Sequence, residues 1–242
     1  IPEEDEAMFT GWAVAIFQDG VDDPDIVRDA IKEILAYFEQ QLSDRRVEGK
    51  DDLITGLMAA EMDGDPLTDK HILGTCFLLL MAGIDTTWSG IGSSLWHLAT
   101  NPSDRDRLVA EPELMASAVE EFLRAYSPVT MAREVIADVE VNGCPMSAGD
   151  KVLLNFPAGN RDPVKFDNAD EVLIDRQKNR HFAFGIGIHR CLGSNVARME
   201  MKVALETWLD RFPTFELAEE AEVRWGGAQV RGPREVPVTL HP

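Results

Sequence analysis

The chain has 242 residues, 45% of them hydrophobic, which is enough to bury a sizeable core in one large domain or two small ones. Asp and Glu outnumber Lys and Arg by 43 to 23, giving a net charge of -20. That charge argues against a nucleic-acid partner, because binding to phosphates needs a basic surface. The three cysteines are widely spaced and odd in number, which argues against a disulfide framework and indicates a reducing, cytoplasmic compartment.

The sequence predicts neither a membrane span nor a secretory signal. Its longest apolar run, ILGTCFLLLMAGI at 72–84, has thirteen residues and ends at Asp85, whereas a span needs about 20. The first residues, IPEEDEAMF, are acidic and unlike a signal peptide. We therefore expect the apolar run to belong to a buried core helix.

The first half of the chain is predicted to be helical. DPDIVRDAIKEILAYFEQQL, at 23–42, has apolar residues four apart along one face, namely Ile26, Ala30, Ile34, Phe38 and Leu42. A long helix is expected over 69–100, with Thr68 as its N-cap and Pro102 beyond its end. EPELMASAVEEFLRAYSP, at 111–128, predicts a third helix that stops before Pro128.

The pattern changes after this helix. Alternating apolar residues flank Asn142 and Gly143, a dipeptide typical of a β-hairpin turn. The long polar stretch at 157–181 predicts an irregular segment. The sequence at 191–212 predicts another helix, and the sequence at 224–240 predicts short strands and turns. The expected fold is mainly α with small β-sheets, without a convincing domain boundary.

The loop FAFGIGIHRCLG, at 182–193, places one cysteine among glycines just before a predicted helix. A thiolate is a strong ligand for soft or redox-active metals, haem iron among them. Glycines let the backbone approach a flat cofactor, and the positive end of the helix favours the thiolate of Cys191. The alternatives are a zinc site, which lacks a second pair of ligands, a nucleotide loop, whose spacing does not match, and a structural cysteine in a glycine-rich turn.

Two further motifs stand on predicted helices. In AGIDTT, at 82–87, a buried Asp85 needs a partner or water, and the adjacent acid and alcohol groups of Asp85 and Thr86 can move protons. The alternative is a kinked core helix with a satisfied aspartate. Glu121 and Arg124 form the second motif, and Glu121 shares a helical line with apolar residues, so it should need a partner. The alternative there is a surface pair, which would ordinarily join Glu120 to Arg124.

These motifs, in this order, resemble those of the cytochrome P450 family, the haem-thiolate monooxygenases. The loop matches the family's haem-binding signature at every defining position, Phe184-Gly185-x-Gly187-x-His189-x-Cys191-x-Gly193. The resemblance implies a cytochrome P450-like fold and haem b (iron protoporphyrin IX) as cofactor, with Cys191 as the axial ligand of the iron. It also implies that 1–242 is the C-terminal part of a single haem domain whose N-terminal part is missing, because the family's chain is much longer.

The same resemblance assigns roles to individual residues. Asp85 and Thr86 would supply protons to dioxygen in a groove lined by Ala82 and Gly83. The expected haem contacts are Cys191, His189, Arg133, Phe184, Gly185, Gly193, Ala82 and Gly83. Among these, His189 and Arg133 would bind propionates. The alternative for Arg133 is a surface arginine on a strand.

Arg176 would complete a structural charge cluster with Glu121 and Arg124. The residues expected to contact substrate are Val129, Thr130, Gln229 and Val230.

The implied activity is insertion of one oxygen atom from dioxygen into a small apolar organic substrate. Electrons would come from a ferredoxin and its ferredoxin reductase, since the chain shows no flavin or iron–sulfur motif. Neither nucleic acid nor a membrane is an expected partner. Two alternatives stay open: a peroxide-using haem-thiolate enzyme, and a haem-free truncated remnant acting as a binding or structural module. The sequence does not identify the substrate.

Overall fold

The protein is mainly α-helical with small sheets, as predicted. The computed structural model describes residues 2–227 and 229–241. Contacts divide the chain into two compact units, Ile1–Asp85 and Thr86–Pro242, each treated by itself below. The division falls within one long helix.

The first unit is built from helices that carry their own N-caps. Asp23 accepts a hydrogen bond from the backbone N of Asp25 (3.0 Å), and Asp52 accepts one from Thr55 N (3.0 Å), so orphan donors at two helix starts are satisfied. The elements are α1 (Glu6–Phe17), α2 (Pro24–Val47), α3 (Leu53–Met58), β1 (Glu61–Met62), β2 (Asp65–Pro66) and the first part of α4 (Asp69–Thr100).

The apolar stripe of α2 forms much of this unit's core. Four of its five predicted members are buried, namely Ala30, Ile34, Phe38 and Leu42. The prediction was wrong for Ile26, which is 37% exposed. Each step of four residues turns about 40° around an α-helix, so five such residues in series do not all lie on one face. Ile26 is the first of the series and lies farthest from the buried face.

Helix α4 begins as predicted, because Thr68 Oγ1 accepts a hydrogen bond from His71 N (3.3 Å). Its 32 residues are long and apolar enough, by length and composition, to cross a membrane. The thirteen-residue run alone underestimated that length, since small polar residues continue the helix. Asp85 is buried near the middle of the helix, and its carboxyl group would be costly to place in hydrocarbon. The expectation of a buried core helix is met only in part, because Ile72 and Met81 are buried whereas Leu78 and Leu79 are exposed.

The second unit packs the rest of α4 with further helices around one apolar core. These helices are α5 (Pro102–Ala110), α6 (Met115–Ala125), α7 (Phe156–Gly159) and α8 (Ser194–Arg211). The α6 and α8 helices contribute much of the core, which includes Ala118, Phe122, Met201, Leu205 and Phe215.

The strands of this unit form antiparallel pairs. The predicted hairpin joins β4 (Val139–Val141) to β5 (Cys144–Met146). Its turn residues Asn142 and Gly143 have φ of 51° and 80°, the left-handed values that a type I′ turn requires. The other pairs are β3 (Met131–Glu134) with β6 (Lys151–Leu154), β7 (Thr214–Leu217) with β10 (Val238–His241), and β8 (Trp225–Gly226) with β9 (Gly232–Pro233).

Candidate functional site

The glycine-rich loop before α8 is held closed by its own backbone. Cys191 N donates to the carbonyl of Phe184 (2.8 Å), and Gly185 N donates to that of Phe182 (2.9 Å). Gly185 and Gly187 have φ of 68° and 70°, in the left-handed region that favours glycine. The glycines are therefore required for the backbone path that brings Cys191 back beside Phe184.

This loop presents its cysteine on an apolar surface. Cys191 is exposed, and so are the neighbouring side chains of Ile186, Ile188 and Leu192, which are 76%, 97% and 89% accessible. A Cβ placed on Gly193 would meet nothing within 4 Å. A single thiol donor among bare backbone and exposed apolar groups fits a flat, apolar cofactor with an iron at its centre. Helix α8 begins at Ser194, three residues beyond the cysteine.

Glu121 lies at the centre of a buried charge cluster. Its carboxylate accepts from Arg124 (Nε, 2.8 Å), from Arg176 (Nε, 2.9 Å) and from Asn179 Nδ2 (3.0 Å), and also from the backbone N of Leu173 (2.8 Å). Both Glu121 and Arg124 have 0% of their side chains exposed. The structure thus brings together the three charged residues that the sequence grouped, and ties the irregular segment after α7 to α6.

Glu120 has different partners from those of an ordinary surface pair. The alternative considered from the sequence was a surface pair between Glu120 and Arg124. Instead, Arg124 binds Glu121, and Glu120 binds His181 (3.0 Å) and Arg198 (2.5 Å). Burial acts to raise the pKa of Glu120, and the hydrogen bonds and charges of His181 and Arg198 outweigh it, lowering that pKa to about 2. The i,i+4 spacing failed here because long-range cations compete for the carboxylate.

The acid–alcohol pair lies within α4. Asp85 is buried and Thr86 is half-buried, on consecutive positions of an unbroken helix. Ala82 and Gly83, one turn earlier, are exposed. The division between the two units falls between Asp85 and Thr86.

The residues expected to contact substrate meet in pairs. Val129 and Val230 form an antiparallel bridge, and Thr130 N donates to the carbonyl of Gln229 (3.1 Å). Two turns that are a hundred residues apart in sequence are therefore adjacent. Between them, only Val230 is buried.

The two residues expected to bind propionates are both accessible. Arg133 lies on β3, is exposed, and donates from its guanidinium to the carbonyl of Ala132 (2.8 Å). His189 lies in a short 3-10 turn of the cysteine loop and is exposed.

Sequence reasoning missed three residues of this region: Glu120 as a partner, His181 and Arg198. The sequence did contain one indication of them: two adjacent acids on α6, Glu120 and Glu121, have only one arginine nearby, Arg124. A second carboxylate that is half-buried needs a second cation, and His181 and Arg198 flank the cysteine loop at either end.

The comparisons with known proteins agree on one family. The family described as Cytochrome P450 matches residues 12–224. Polyketide biosynthesis cytochrome P450 PksS of Bacillus subtilis (strain 168) is 37% identical over 99% of this chain and 60% of its own length. Mycinamicin IV hydroxylase/epoxidase of Micromonospora griseorubida is 36% identical over 98% of this chain and 61% of its own. The chain thus spans about 60% of the length of these relatives.

Solved structures give the same result. The bacillaene polyketide synthase P450 PksS of Bacillus subtilis 168 superimposes with a TM-score of 0.93, covering 100% of this chain and 63% of that one. CYP109E1 of Bacillus megaterium, in complex with testosterone, is 34% identical with a TM-score of 0.88, covering 98% and 66%.

Proposed function

Because the chain belongs to the cytochrome P450 family, we propose that it carries haem b on Cys191 and takes part in the insertion of one oxygen atom from dioxygen into an apolar organic substrate. The observation that carries this proposal is the closed loop that presents a lone thiol among bare backbone and exposed apolar side chains. A surface of that kind is costly to leave in water, and a porphyrin face is likewise apolar.

The haem supplies the oxygen chemistry, to which a thiolate ligand contributes electron density that favours O–O cleavage. The chain's own residues hold the cofactor. Cys191 provides the ligand, and the backbone of Gly185 and Gly193 allows close approach. The cationic or N–H groups of Arg133 and His189 donate to the propionates, since such carboxylates need donors when covered by protein.

Asp85 and Thr86 move protons in the proposed reaction. Splitting dioxygen so that one atom enters the substrate and the other leaves as water consumes two protons and two electrons. A buried carboxyl beside a half-buried hydroxyl on an apolar helix can relay those protons, whereas a peroxide-using enzyme would not need a relay. Ala82 and Gly83 are small enough to leave room beside them.

The substrate side is assigned to the two joined turns, Val129–Thr130 and Gln229–Val230, because their pairing supplies a fixed edge with two valines. The electrons are assigned to a ferredoxin and its reductase, in the cytoplasm. Because the chain has a net charge of -20, it would repel an acidic ferredoxin except where a basic side chain is exposed. Arg190, next to Cys191, is such an exposed basic side chain.

One absorption spectrum tests the proposal. The reduced protein, loaded with haem and exposed to carbon monoxide, should show the red-shifted Soret band of thiolate ligation. Cys191→Ser should abolish that band, whereas Cys144→Ser, which alters another exposed cysteine in the hairpin, should keep it. No haem uptake would favour the binding-module alternative, and a thiolate band in Cys191→Ser would overturn the ligand assignment.

A further inference from the structure

Glu120 makes a two-pronged contact with Arg198. Its Oε1 accepts from Arg198 Nε (2.5 Å), and its Oε2 accepts from the second guanidinium nitrogen (3.0 Å). The same Oε2 lies 3.0 Å from His181 Nε2. The two side chains of the salt bridge are only 31% and 29% exposed, so this is a fixed, half-buried pair rather than a solvated one.

The partners of Glu120 stand at the two ends of the cysteine loop. His181 immediately precedes the loop, and its Nδ1 accepts from the backbone N of Ala183 (3.2 Å). Arg198 lies one turn into α8 and donates to the carbonyl of Ser194 (3.3 Å). One carboxylate on α6 therefore ties together both ends of the segment 182–194.

Arg198 also reaches the middle of the loop. Its guanidinium carbon lies 4.6 Å from the ring centroid of Phe184, within the range of a cation–π contact. The carbonyl of Phe184 accepts the hydrogen bond of the Cys191 amide. Phe184 is thus held by its ring on one side and by its carbonyl on the other. The hydrogen bond to Glu120 is also the largest cause that raises the pKa of Arg198, so the guanidinium stays charged.

We propose that Glu120 is a positioning residue for the cysteine loop: by holding Arg198 against Phe184 it fixes the backbone that presents the Cys191 sulfur. The inference rests on the proposed function in making that sulfur a haem ligand, but the geometry it concerns belongs to the chain alone. It differs from the role of Glu121, whose contacts go to the segment before the loop.

The first test needs no haem. Hydrogen exchange of the Cys191 amide, followed by mass spectrometry of peptides covering 182–194, reports on the hydrogen bond to Phe184. Glu120→Gln and Arg198→Lys should each speed this exchange by on the order of tenfold, because the two-pronged contact and the stacked guanidinium are lost. The double variant should exchange no faster than either single one, since both changes break the same link.

Matched controls separate position from general destabilisation. Glu206→Gln alters the exposed pair with Lys202 on the same helix, and Arg211→Lys alters a guanidinium 5.3 Å over the ring of Phe212. Both should leave loop exchange unchanged within about twofold. Exchange in α5, which belongs to the same unit as the loop, serves as a check that each variant is folded. A loop exchange rate that is unchanged in Glu120→Gln and Arg198→Lys, or no protection of the Cys191 amide in the unaltered chain, overturns the inference.

The second test uses the haem-loaded protein. In the carbon monoxide spectrum, Glu120→Gln and Arg198→Lys should lower the thiolate-type Soret band relative to the band of haem that has no thiolate ligand. Arg211→Lys should leave this ratio unchanged. An unaltered protein without any thiolate-type band would refute the proposed function, whereas the exchange experiment would still decide the positioning role. A full thiolate band in both loop variants would count against the inference.

Discussion

Glu121 is completely buried, and each of its oxygens accepts hydrogen bonds from residues on other segments. We expect Glu121→Ala to lower the free energy of unfolding by about 3–5 kcal/mol, because removing one member of a buried charge cluster leaves Arg124 and Arg176 uncompensated. Urea unfolding of the variant measures this loss.

The matched control for that variant is Glu113→Ala, which removes an exposed carboxylate just before α6. It should change the free energy of unfolding by less than about 0.5 kcal/mol. Equal, small effects from both substitutions would mean that Glu121 is energetically a surface residue.

Thr86 tests the proposed oxygen-using reaction against the peroxide-using alternative. If its hydroxyl orders a proton donor, Thr86→Val should bind haem and substrate and consume reductant, but release reduced oxygen as hydrogen peroxide. A lost proton relay is typically worth about 10²–10⁴-fold in the step it serves. The measurement is product formed per reductant consumed, with peroxide counted in parallel.

Asp85→Asn supplies the contrast, because it removes the acid and should slow oxygen consumption itself. An unchanged product yield in Thr86→Val would rule out the acid–alcohol relay and favour the peroxide-using alternative. A loss of folded protein in either variant would instead point to the core-helix interpretation of this motif.

At the scale of elements, His97 links α4 to α5 and to Tyr126, the residue that caps the end of α6. Its Nε2 lies 2.7 Å from Asp104 Oδ2, and its Nδ1 lies 2.7 Å from the hydroxyl of Tyr126. Burial lowers the pKa of His97 below 6.5, against the opposing effect of Asp104, and burial raises the pKa of Tyr126 to about 12. A neutral imidazole that donates to Asp104 and accepts from Tyr126 satisfies all three groups.

This arrangement predicts acid sensitivity in a mild range. Between the folded and unfolded pKa values the unfolded chain binds more protons, so the stability from neutral His97 is complete above about pH 6.5 and declines below it, by at most about 1.4 kcal/mol per pH unit. Thermal unfolding from pH 7.5 to 5.5 should show this slope, and His97→Gln should flatten it. The exposed His71 provides the control, because His71→Gln should retain the slope; a slope unaffected by His97→Gln would assign it elsewhere.

The elements also show what a single sequence could and could not predict. Helices α2, α4 and α6 and the Asn142-Gly143 hairpin were predictable, because periodicity, caps and turn dihedrals are local. The loop around Cys191 was predictable because its glycines are required by its backbone. The partners of Glu120 were not, since nothing local tells which of several cations reaches a carboxylate from 61 or 78 residues away. Pairing of the turns at Val129 and Val230 was hidden for the same reason.

For the whole molecule, the net charge of -20 limits where the proposed acidic ferredoxin could dock. If an acidic ferredoxin docks near Cys191, Arg190→Glu should slow haem reduction, and most strongly at low salt, where charges are least screened. Arg211→Glu makes the same charge change at the far end of α8, which is about 25 Å long, and should have a much smaller effect. Stopped-flow reduction at several ionic strengths gives the comparison. Rates that are independent of salt in both variants would exclude this docking site.

The adjacent acids of α6 also bear on the order in which the molecule folds. The helix itself can form from local contacts, and Arg124 binds Glu121 within it. The other groups that bind Glu121 come from 52 to 58 residues downstream, and Arg198, which binds Glu120, comes from 78 residues downstream. Closing such long loops costs entropy before any contact repays it, so we expect these long-range contacts to form late in folding. We therefore expect the cysteine loop to be among the last segments to become ordered, and substitution of Glu120, which anchors it, to speed unfolding while leaving the folding rate nearly unchanged.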